Sequence, residues 1–199
     1  NYGFNRACYG FFGGSWLDTS MRPGGYTIHP LDGHAFARDI DHLLSLYDWE
    51  VTLAQYNLLS SHDEPRYLTM VNGDPRRLRL ATLFQMAFPG PPSIYYGDEI
   101  GMEGGPDPDC RRAFRWDERW WHQPLREDFK RFIALRKNHS SLRRGDYRTL
   151  EVASETYAFA RSDEHEVVVL AFNVGSDAAD VRLDLSDLVP PNATLRQTW

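Results

Sequence analysis

The sequence is poor in residues that hold metals or form disulfides. Its 199 residues include two cysteines, Cys8 and Cys110, and seven histidines that are scattered along the chain. Two cysteines are too few for a disulfide framework, and no spacing of cysteine and histidine resembles a zinc site. We therefore expect no metal and no cofactor. Free thiols in a reducing, cytoplasmic compartment are the expected state, with a single long-range disulfide as the alternative.

The chain also has no excess of basic residues and no long apolar run. The 22 Lys and Arg against 28 Asp and Glu give a formal net charge of -6, whereas a nucleic-acid-binding domain carries a basic patch. A helix that spans a bilayer needs roughly 18 or more consecutive apolar residues. We therefore expect neither a nucleic acid nor a membrane as a partner. The first residues do not resemble a signal peptide, and the chain starts without Met, which predicts a part of a longer protein.

The first part of the chain alternates helical patterns with short apolar runs. Apolar residues recur at helical spacing over about 34–47, 75–88 and 124–139, which predicts three helices. Residues 56–61 and 93–96 are short, mostly apolar runs of the kind that buried strands show. Strands that alternate with helices are typical of parallel βα units.

The pattern changes near residue 142. From Gly145 onward apolar residues recur with a period of two, which is typical of half-buried strands. Four strands are predicted, over about 147–151, 156–159, 167–172 and 181–185. We therefore predict two domains: a strand–helix domain over residues 1–142 and an all-β domain over residues 143–199.

Polar residues follow both predicted strands of the first domain at the point where each strand ends. His62 and Asp63 follow the first strand, and Gly97, Asp98 and Glu99 follow the second. In βα folds the carboxyl ends of the strands and the loops after them build the functional site. These residues are therefore a candidate site. From spacing alone, the alternative stays open that Asp63 caps a turn and His62 bonds a backbone carbonyl.

Two segments of the sequence carry family motifs. Residues 57–66 read NLLSSHDEPR and resemble the fourth conserved segment of the α-amylase superfamily, family 13 of the glycoside hydrolases. Residues 90–99 read GPPSIYYGDE and resemble the last-strand motif of that family, G-x-P-x-I-Y-Y-G-x-E. Asn1 and Tyr2 match the end of its sixth strand. The resemblance implies an α/β fold, the C-terminal part of a (β/α)8 TIM barrel (about strands 6 to 8), followed by a small antiparallel β-sandwich domain.

A third segment indicates the type of enzyme. Residues 104–112 read GGPDPDCRR and resemble the loop after the eighth strand in cyclomaltodextrinases, neopullulanases and maltogenic amylases. In those enzymes an Asp and an Arg of this loop contact sugar on the non-reducing side of the cleavage point. The matching residues are Asp107 and Arg111, which we expect to bind substrate. The alternative is a surface ion pair that holds the loop.

The resemblance also implies roles for three residues of the 57–66 segment. Asp63 would be catalytic, as a carboxylate that stabilises the positively charged transition state, and His62 would bind hydroxyls of the same sugar. Arg66 would belong to the substrate-binding set, where it orients a neighbouring carboxylate or loop, with a structural salt bridge as its alternative. The family carries its nucleophile Asp and acid/base Glu on strands that no segment here resembles. We expect Glu99 to be structural, and the role of Asp98 stays open.

The resemblance implies part of a retaining glycoside hydrolase that cleaves α-1,4-glucosidic bonds in cyclodextrins, maltodextrins or pullulan. Its expected partners are an α-glucan oligosaccharide substrate and the missing N-terminal half of the barrel, without which we expect no activity. The first alternative is another enzyme of the superfamily, such as an oligo-α-glucosidase or a trehalose-forming isomerase. The second is a barrel that has lost catalysis and serves as an interaction domain, which the presence of His62 beside Asp63 disfavours. The sequence leaves the oligomeric state open.

Overall fold

The helices and strands are those of a computed structural model, which describes residues 1–198. Helices α1 to α7 cover Tyr2–Cys8, Gly33–Ser45, Trp49–Thr52, Tyr67–Met70, Pro75–Ala87, Gln123–Asn138 and Ser140–Arg144. Strands β1 to β5 cover Asn57–Leu58, Pro92–Ser93, Asp146–Val152, Thr156–Ser162 and Val167–Asn173. A π-helical turn, Tyr9–Gly13, follows α1, and 3-10 turns lie at Gly14–Trp16, Pro23–Gly25, Asp98–Ile100, Asp109–Arg111 and Glu118–Trp120. The three predicted helices are confirmed as α2, α5 and α6.

Helix α5 holds the two short parallel strands in place. It begins as its sequence predicts: the Asp74 carboxylate accepts a backbone amide of the first turn at 2.9 Å, and Pro75 stands where an N–H has no partner within the helix. Near its end, the Gln85 side-chain amide donates to the carbonyls of Asn57 at 2.8 Å and Ser93 at 3.0 Å. Because these carbonyls belong to β1 and β2, one side chain fixes both strands.

Helices α2 and α6 bury one face each. The Asp32 carboxylate caps α2 by accepting the Ala35 amide at 2.7 Å, and Phe36 and Ile40 are buried on its inner face. Helix α6 buries four apolar side chains along one side and ends in basic residues, which suit a helix C-terminus. Within residues 1–198 no helix is both long and apolar enough to cross a membrane.

Strands β1 and β2 pair in parallel, but each is only two residues long. The runs predicted as strands, 56–61 and 93–96, extend further than these pairs. The strands end early because the backbone beyond the paired residues forms hydrogen bonds with side chains and not with a neighbouring strand. The Leu59 carbonyl accepts hydrogen bonds from the Asn5 amide at 3.0 Å and from the Tyr9 hydroxyl at 3.1 Å. The short pair still brings the segments that follow both strands to the same edge.

An aromatic cluster joins the helices to the C-terminal sheet. The ring centroid of Phe84 in α5 lies 5.2 Å from that of Phe36, 5.6 Å from that of Phe159 and 5.9 Å from that of Phe172. Edge-to-face pairs at such distances stabilise by roughly 0.5–1.5 kcal/mol each beyond the burial of the rings. Helices and sheet therefore share one core. The domain boundary expected at residue 142 falls inside α7 and stays a prediction.

Two arginines close the C-terminal end of α5: Arg136, which is partly buried, and Arg161, which is completely buried. Arg136 of α6 donates to the carbonyls of Phe88 at 3.1 Å and Gly90 at 2.7 Å, and Arg161 of β4 donates to the Ala87 carbonyl. Carbonyls at a helix C-terminus have no partner within the helix and attract cations. Burial lowers the pKa of Arg136 to about 10 and that of Arg161 to about 9, so both stay charged at neutral pH. The sheet is thereby attached to the helix that precedes β2.

The C-terminal region forms one antiparallel sheet in the order β3–β4–β5. The first three strands predicted there are confirmed. The fourth, over 181–185, is wrong: in the described part of the chain no strand follows β5. Exposure does alternate along this segment. A period of two indicates an extended, half-buried chain, but it does not say whether a partner strand is available to complete a ladder.

Candidate active site

Asp63 lies at the edge where the two parallel strands end. Its Oδ2 accepts a hydrogen bond from the Tyr2 hydroxyl at 3.0 Å, and its Oδ1 lies 3.2 Å from His62 Nε2. Its backbone amide donates to the Ser61 hydroxyl at 3.1 Å. The Asp63 side chain is 53% exposed. The site therefore presents to solvent a carboxylate whose two oxygens are both held by neighbouring side chains.

The loop after β2 returns to this carboxylate. Arg111 Nε donates to the His62 carbonyl at 2.8 Å, and the Cys110 thiol donates to the same carbonyl at 3.3 Å. Arg111 also lies 2.9 Å from Asp107 Oδ1 through its Nε and 3.8 Å from Asp63 Oδ1 through its Nη2. The ion pair that the sequence left as an alternative is thus present. Because both partners are about half exposed, the pair adds little stability and leaves polar atoms open.

Four of the residues selected from the sequence are therefore brought together: His62, Asp63, Asp107 and Arg111. The arrangement combines a negative carboxylate with nitrogen donors on both sides, which is suited to bonding hydroxyl groups and to stabilising developing positive charge. Within residues 1–198 no group of three or more His, Cys, Asp or Glu side chains is arranged to hold a metal ion.

Arg66, the fifth selected residue, lies beneath the site and is completely buried. Its Nε donates to the Cys110 carbonyl at 3.1 Å, and its Nη1 donates to the Tyr96 carbonyl at 2.7 Å and to Asp98 Oδ1 at 3.0 Å. The rings of Tyr95 and Tyr96 lie 4.5 and 4.8 Å from its guanidinium carbon. A side chain without exposed surface does not contact sugar directly. Arg66 holds a carboxylate, in a salt bridge with Asp98, and the loop after β2, so its contacts are compatible with both alternatives that the sequence left for it.

Asp98 and Glu99, which lie in the 3-10 turn after β2, have different surroundings. Asp98 is buried against Arg66, and burial raises the pKa of its carboxyl to about 7, although hydrogen bonding by Ser60 and the charge of Arg66 act in the opposite direction. Glu99 closes its own turn, because its Oε2 accepts the Gly97 amide at 2.7 Å. These contacts tie both carboxyl groups to the structure of the loop.

The burial of Asp98 predicts a pH-dependent stability. A carboxyl group whose pKa is raised on folding binds more protons in the folded chain than in the unfolded one. The contribution of Asp98 to the free energy of unfolding should therefore fall as the pH rises from about 4 to about 7, by up to about 4 kcal/mol, and then stay constant. We expect Asp98→Asn to make this fall clearly smaller in urea unfolding between pH 4 and 8, with the remainder due to Glu64, whose pKa burial also raises. Asp187→Asn, at an exposed aspartate, is the control; equal slopes in Asp98→Asn and the parent protein would contradict the prediction.

Sequence reasoning did not select Tyr2, Ser61 or Glu64, which also surround the site. Glu64 is buried and accepts the Asn5 side-chain amide at 2.9 Å, and burial raises its pKa. As an acidic residue directly after Asp63, it could have been found from the motif. Tyr2 is separated from Asp63 by 61 positions, and spacing does not link the two. The signal that could have found it is its match to the end of the family's sixth strand, since strand ends build the site.

The chain resembles known proteins along most of its length. The model of the alpha amylase catalytic domain matches residues 12–145. A cyclomaltodextrinase of Geobacillus thermopakistaniensis is 43% identical over 152 residues, which are 75% of this chain and 26% of that protein. Neopullulanase 2 of Thermoactinomyces vulgaris is 43% identical over 139 residues, which are 68% of this chain and 24% of that protein. The chain thus spans about a quarter of the length of these two relatives.

Solved structures show the same likeness in three dimensions. A debranching enzyme from Nostoc punctiforme is 38% identical with a TM-score of 0.89, over 94% of this chain and 39% of that chain. A cyclomaltodextrinase structure is 33% identical with a TM-score of 0.75, over 87% of this chain and 28% of that chain. These matches indicate part of a TIM barrel with an antiparallel sheet.

Proposed function

The chain belongs to the alpha-amylase catalytic-domain family, and on that basis we propose that it is the C-terminal part of a retaining glycoside hydrolase acting on α-1,4-glucosidic bonds. The expected substrates are cyclodextrins, maltodextrins or pullulan. The observation that carries the proposal is the half-exposed Asp63 carboxylate, held beside His62 and Arg111 at the strand ends. The relatives support it, because they include cyclomaltodextrinases and a neopullulanase.

In the proposed reaction Asp63 stabilises the transition state and does not attack the sugar. Retaining glycosidases use a nucleophile and an acid/base, and positive charge builds near the anomeric carbon. A further carboxylate at the hydroxyls of that ring is bound more strongly as this charge develops. Asp63 would fill this role, with His62 bonding the same sugar. Asp107 and Arg111 would bind the next sugar on the non-reducing side, and Arg66 would keep their loop in place.

The nucleophile and the acid/base are proposed to lie in an N-terminal portion of the barrel. A complete barrel has eight parallel strands and about 250 residues, whereas β1 and β2 are the parallel strands of residues 1–198. We assign β1 and β2 to the seventh and eighth strands. Residues 1–142 would belong to the barrel, and residues 143–199 to a C-terminal domain of the β-sandwich type. The edges of the β1–β2 pair would then bond the neighbouring strands of that portion.

Activity of the full-length protein tests this function. We expect hydrolysis of cyclodextrin, maltotriose and pullulan, with products released first as α-anomers, which proton NMR detects. Because the Nostoc punctiforme structure is that of a debranching enzyme, an α-1,6-linked substrate such as panose belongs in the same assay. An oligo-α-glucosidase would prefer short oligosaccharides, and a trehalose-forming isomerase would give trehalose. No turnover on any of these would favour a barrel that serves in interactions only.

Arg111→Ala in the full-length enzyme is expected to raise KM for maltotriose by roughly tenfold, because one charged donor to a sugar hydroxyl is lost. It should also change the product distribution. Small aryl glucosides, which do not reach the neighbouring sugar position, should be affected less. Steady-state kinetics on both substrates provide the measurement.

Arg112→Ala is the matched control for this prediction. Arg112 is as exposed as Arg111, at 47%, and pairs with Asp109 in the same loop. We expect nearly unchanged kinetics in this variant. Equal losses on both substrates in Arg111→Ala would mean that Arg111 holds the loop and does not contact sugar.

A further inference from the structure

Tyr2 is the first residue of α1. It contacts the candidate site from the N-terminal helix, whereas the other residues of the site follow β1 or β2. Its hydroxyl lies 3.0 Å from Asp63 Oδ2 and 3.3 Å from the Ser61 hydroxyl. The Ser61 hydroxyl in turn accepts the Asp63 backbone amide at 3.1 Å. Tyr2 and Ser61 therefore hold both the carboxylate and the backbone of the same residue.

The helix that carries Tyr2 is firmly attached to the end of β1. The ring of Phe4 is fully buried, with its centroid 5.7 Å from that of Phe84 and 4.9 Å from that of Phe88. One turn into the helix, the Asn5 side-chain amide donates to the Leu59 carbonyl at 3.0 Å, directly after β1. Because α1 and the strand end are joined in this way, the Tyr2 hydroxyl has a fixed position relative to Asp63.

The chemistry of a phenol suits the orientation of a carboxylate that must stay charged. Half of the Asp63 side chain is exposed, so its terminal torsion would otherwise be broad. A neutral O–H donor restricts this rotation without cancelling the negative charge, whereas Arg111 Nη2, the cation at this carboxylate, stays 3.8 Å away. With Oδ2 held by Tyr2, Oδ1 is turned toward His62.

We propose that Tyr2 is a positioning residue for the reaction: it sets the orientation of the Asp63 carboxylate toward the sugar. This inference rests on the proposed function of Asp63. A displacement of about 1 Å in a catalytic group can reduce the rate by about 100-fold, and loss of one orienting bond at a residue that keeps its other contacts should have a smaller effect.

The test is a double-mutant cycle in the full-length enzyme with Tyr2→Phe and Asp63→Asn. We expect Tyr2→Phe to lower kcat by roughly tenfold with little change in KM. In the Asp63→Asn background the same substitution should have almost no effect, because the charge that it orients is absent. An aryl glycoside with a good leaving group keeps the slow variants measurable. Tyr47→Phe, which removes the hydroxyl of an exposed tyrosine just after α2, is the control.

Ser61→Ala is the second variant, since it removes the other hydrogen-bond partner of the Tyr2 hydroxyl. It tests the proposed orientation of Asp63 if Tyr2→Phe does not fold. Its smaller loss of kcat should also disappear in the Asp63→Asn background. A normal kcat in folded Tyr2→Phe, or losses that multiply with that of Asp63→Asn, would overturn the role of Tyr2 while leaving that of Asp63 intact. Near-normal turnover in Asp63→Asn alone would overturn both.

Discussion

Replacing Asp63 by asparagine in the full-length enzyme is expected to lower kcat by about 1,000-fold or more and to leave folding unchanged. Asparagine has the same shape and keeps an oxygen that can accept the Tyr2 hydroxyl. It lacks the negative charge, which matters most when positive charge builds on the sugar in the transition state. The effect should therefore fall on kcat far more than on KM. The side chain is half exposed, so its replacement leaves no buried group without a partner.

Steady-state kinetics on maltotriose and thermal unfolding of the variant check both halves of this prediction. Asp117→Asn is the control, because Asp117 is 42% exposed and also pairs with an arginine, Arg119. That variant should turn over normally. If Asp63→Asn kept turnover within a few-fold of the parent, Asp63 would have no catalytic role. A large fall in unfolding temperature together with the loss of activity would indicate a structural role instead.

Several features of the fold and of the site could be predicted because they are encoded by neighbouring residues in the sequence. Asp74 and Pro75 specify the start of α5 within one turn of helix, and the structure has them there. His62 and Asp63 could be placed at a strand end from the apolar run before them. That two such ends meet at one edge follows from the parallel arrangement alone, which the β1–β2 pairing shows.

Other features depend on contacts between distant parts of the chain, which periodicity does not encode. The motif contains Arg66, but its burial results from three acceptors contributed by the segment after β2. The length of β1 depends on side chains of the N-terminal helical segment that bond the Leu59 carbonyl. The strand expected over 181–185 has a strand-like pattern without a neighbouring strand in the described chain. For Arg66 and for β1 the deciding partners lie tens of residues away along the sequence.

The contacts of Asp98 and Glu99, in the turn after β2, bear directly on whether this chain can act by itself. A glycosyl-enzyme intermediate requires a nucleophile and an acid/base that act together on one bond. Asp98 is buried and bonded to Arg66, and Glu99 accepts the amide of its own turn. Neither carboxyl group is free to attack or to protonate a glycosidic bond next to Asp63 without breaking these contacts.

We therefore expect the 199-residue chain, purified alone, to show no glycosidase activity on cyclodextrin or on p-nitrophenyl maltoside. Asp63 can stabilise charge, but attack and protonation each contribute factors of about 100 or more, and the barrier stays high without them. The full-length protein, assayed in parallel, should be active and shows that the substrates are suitable. Turnover by the chain that Glu99→Gln abolishes would identify Glu99 as an essential carboxylate. The essential groups would then lie within this chain, contrary to the proposal that an N-terminal portion of the barrel supplies them.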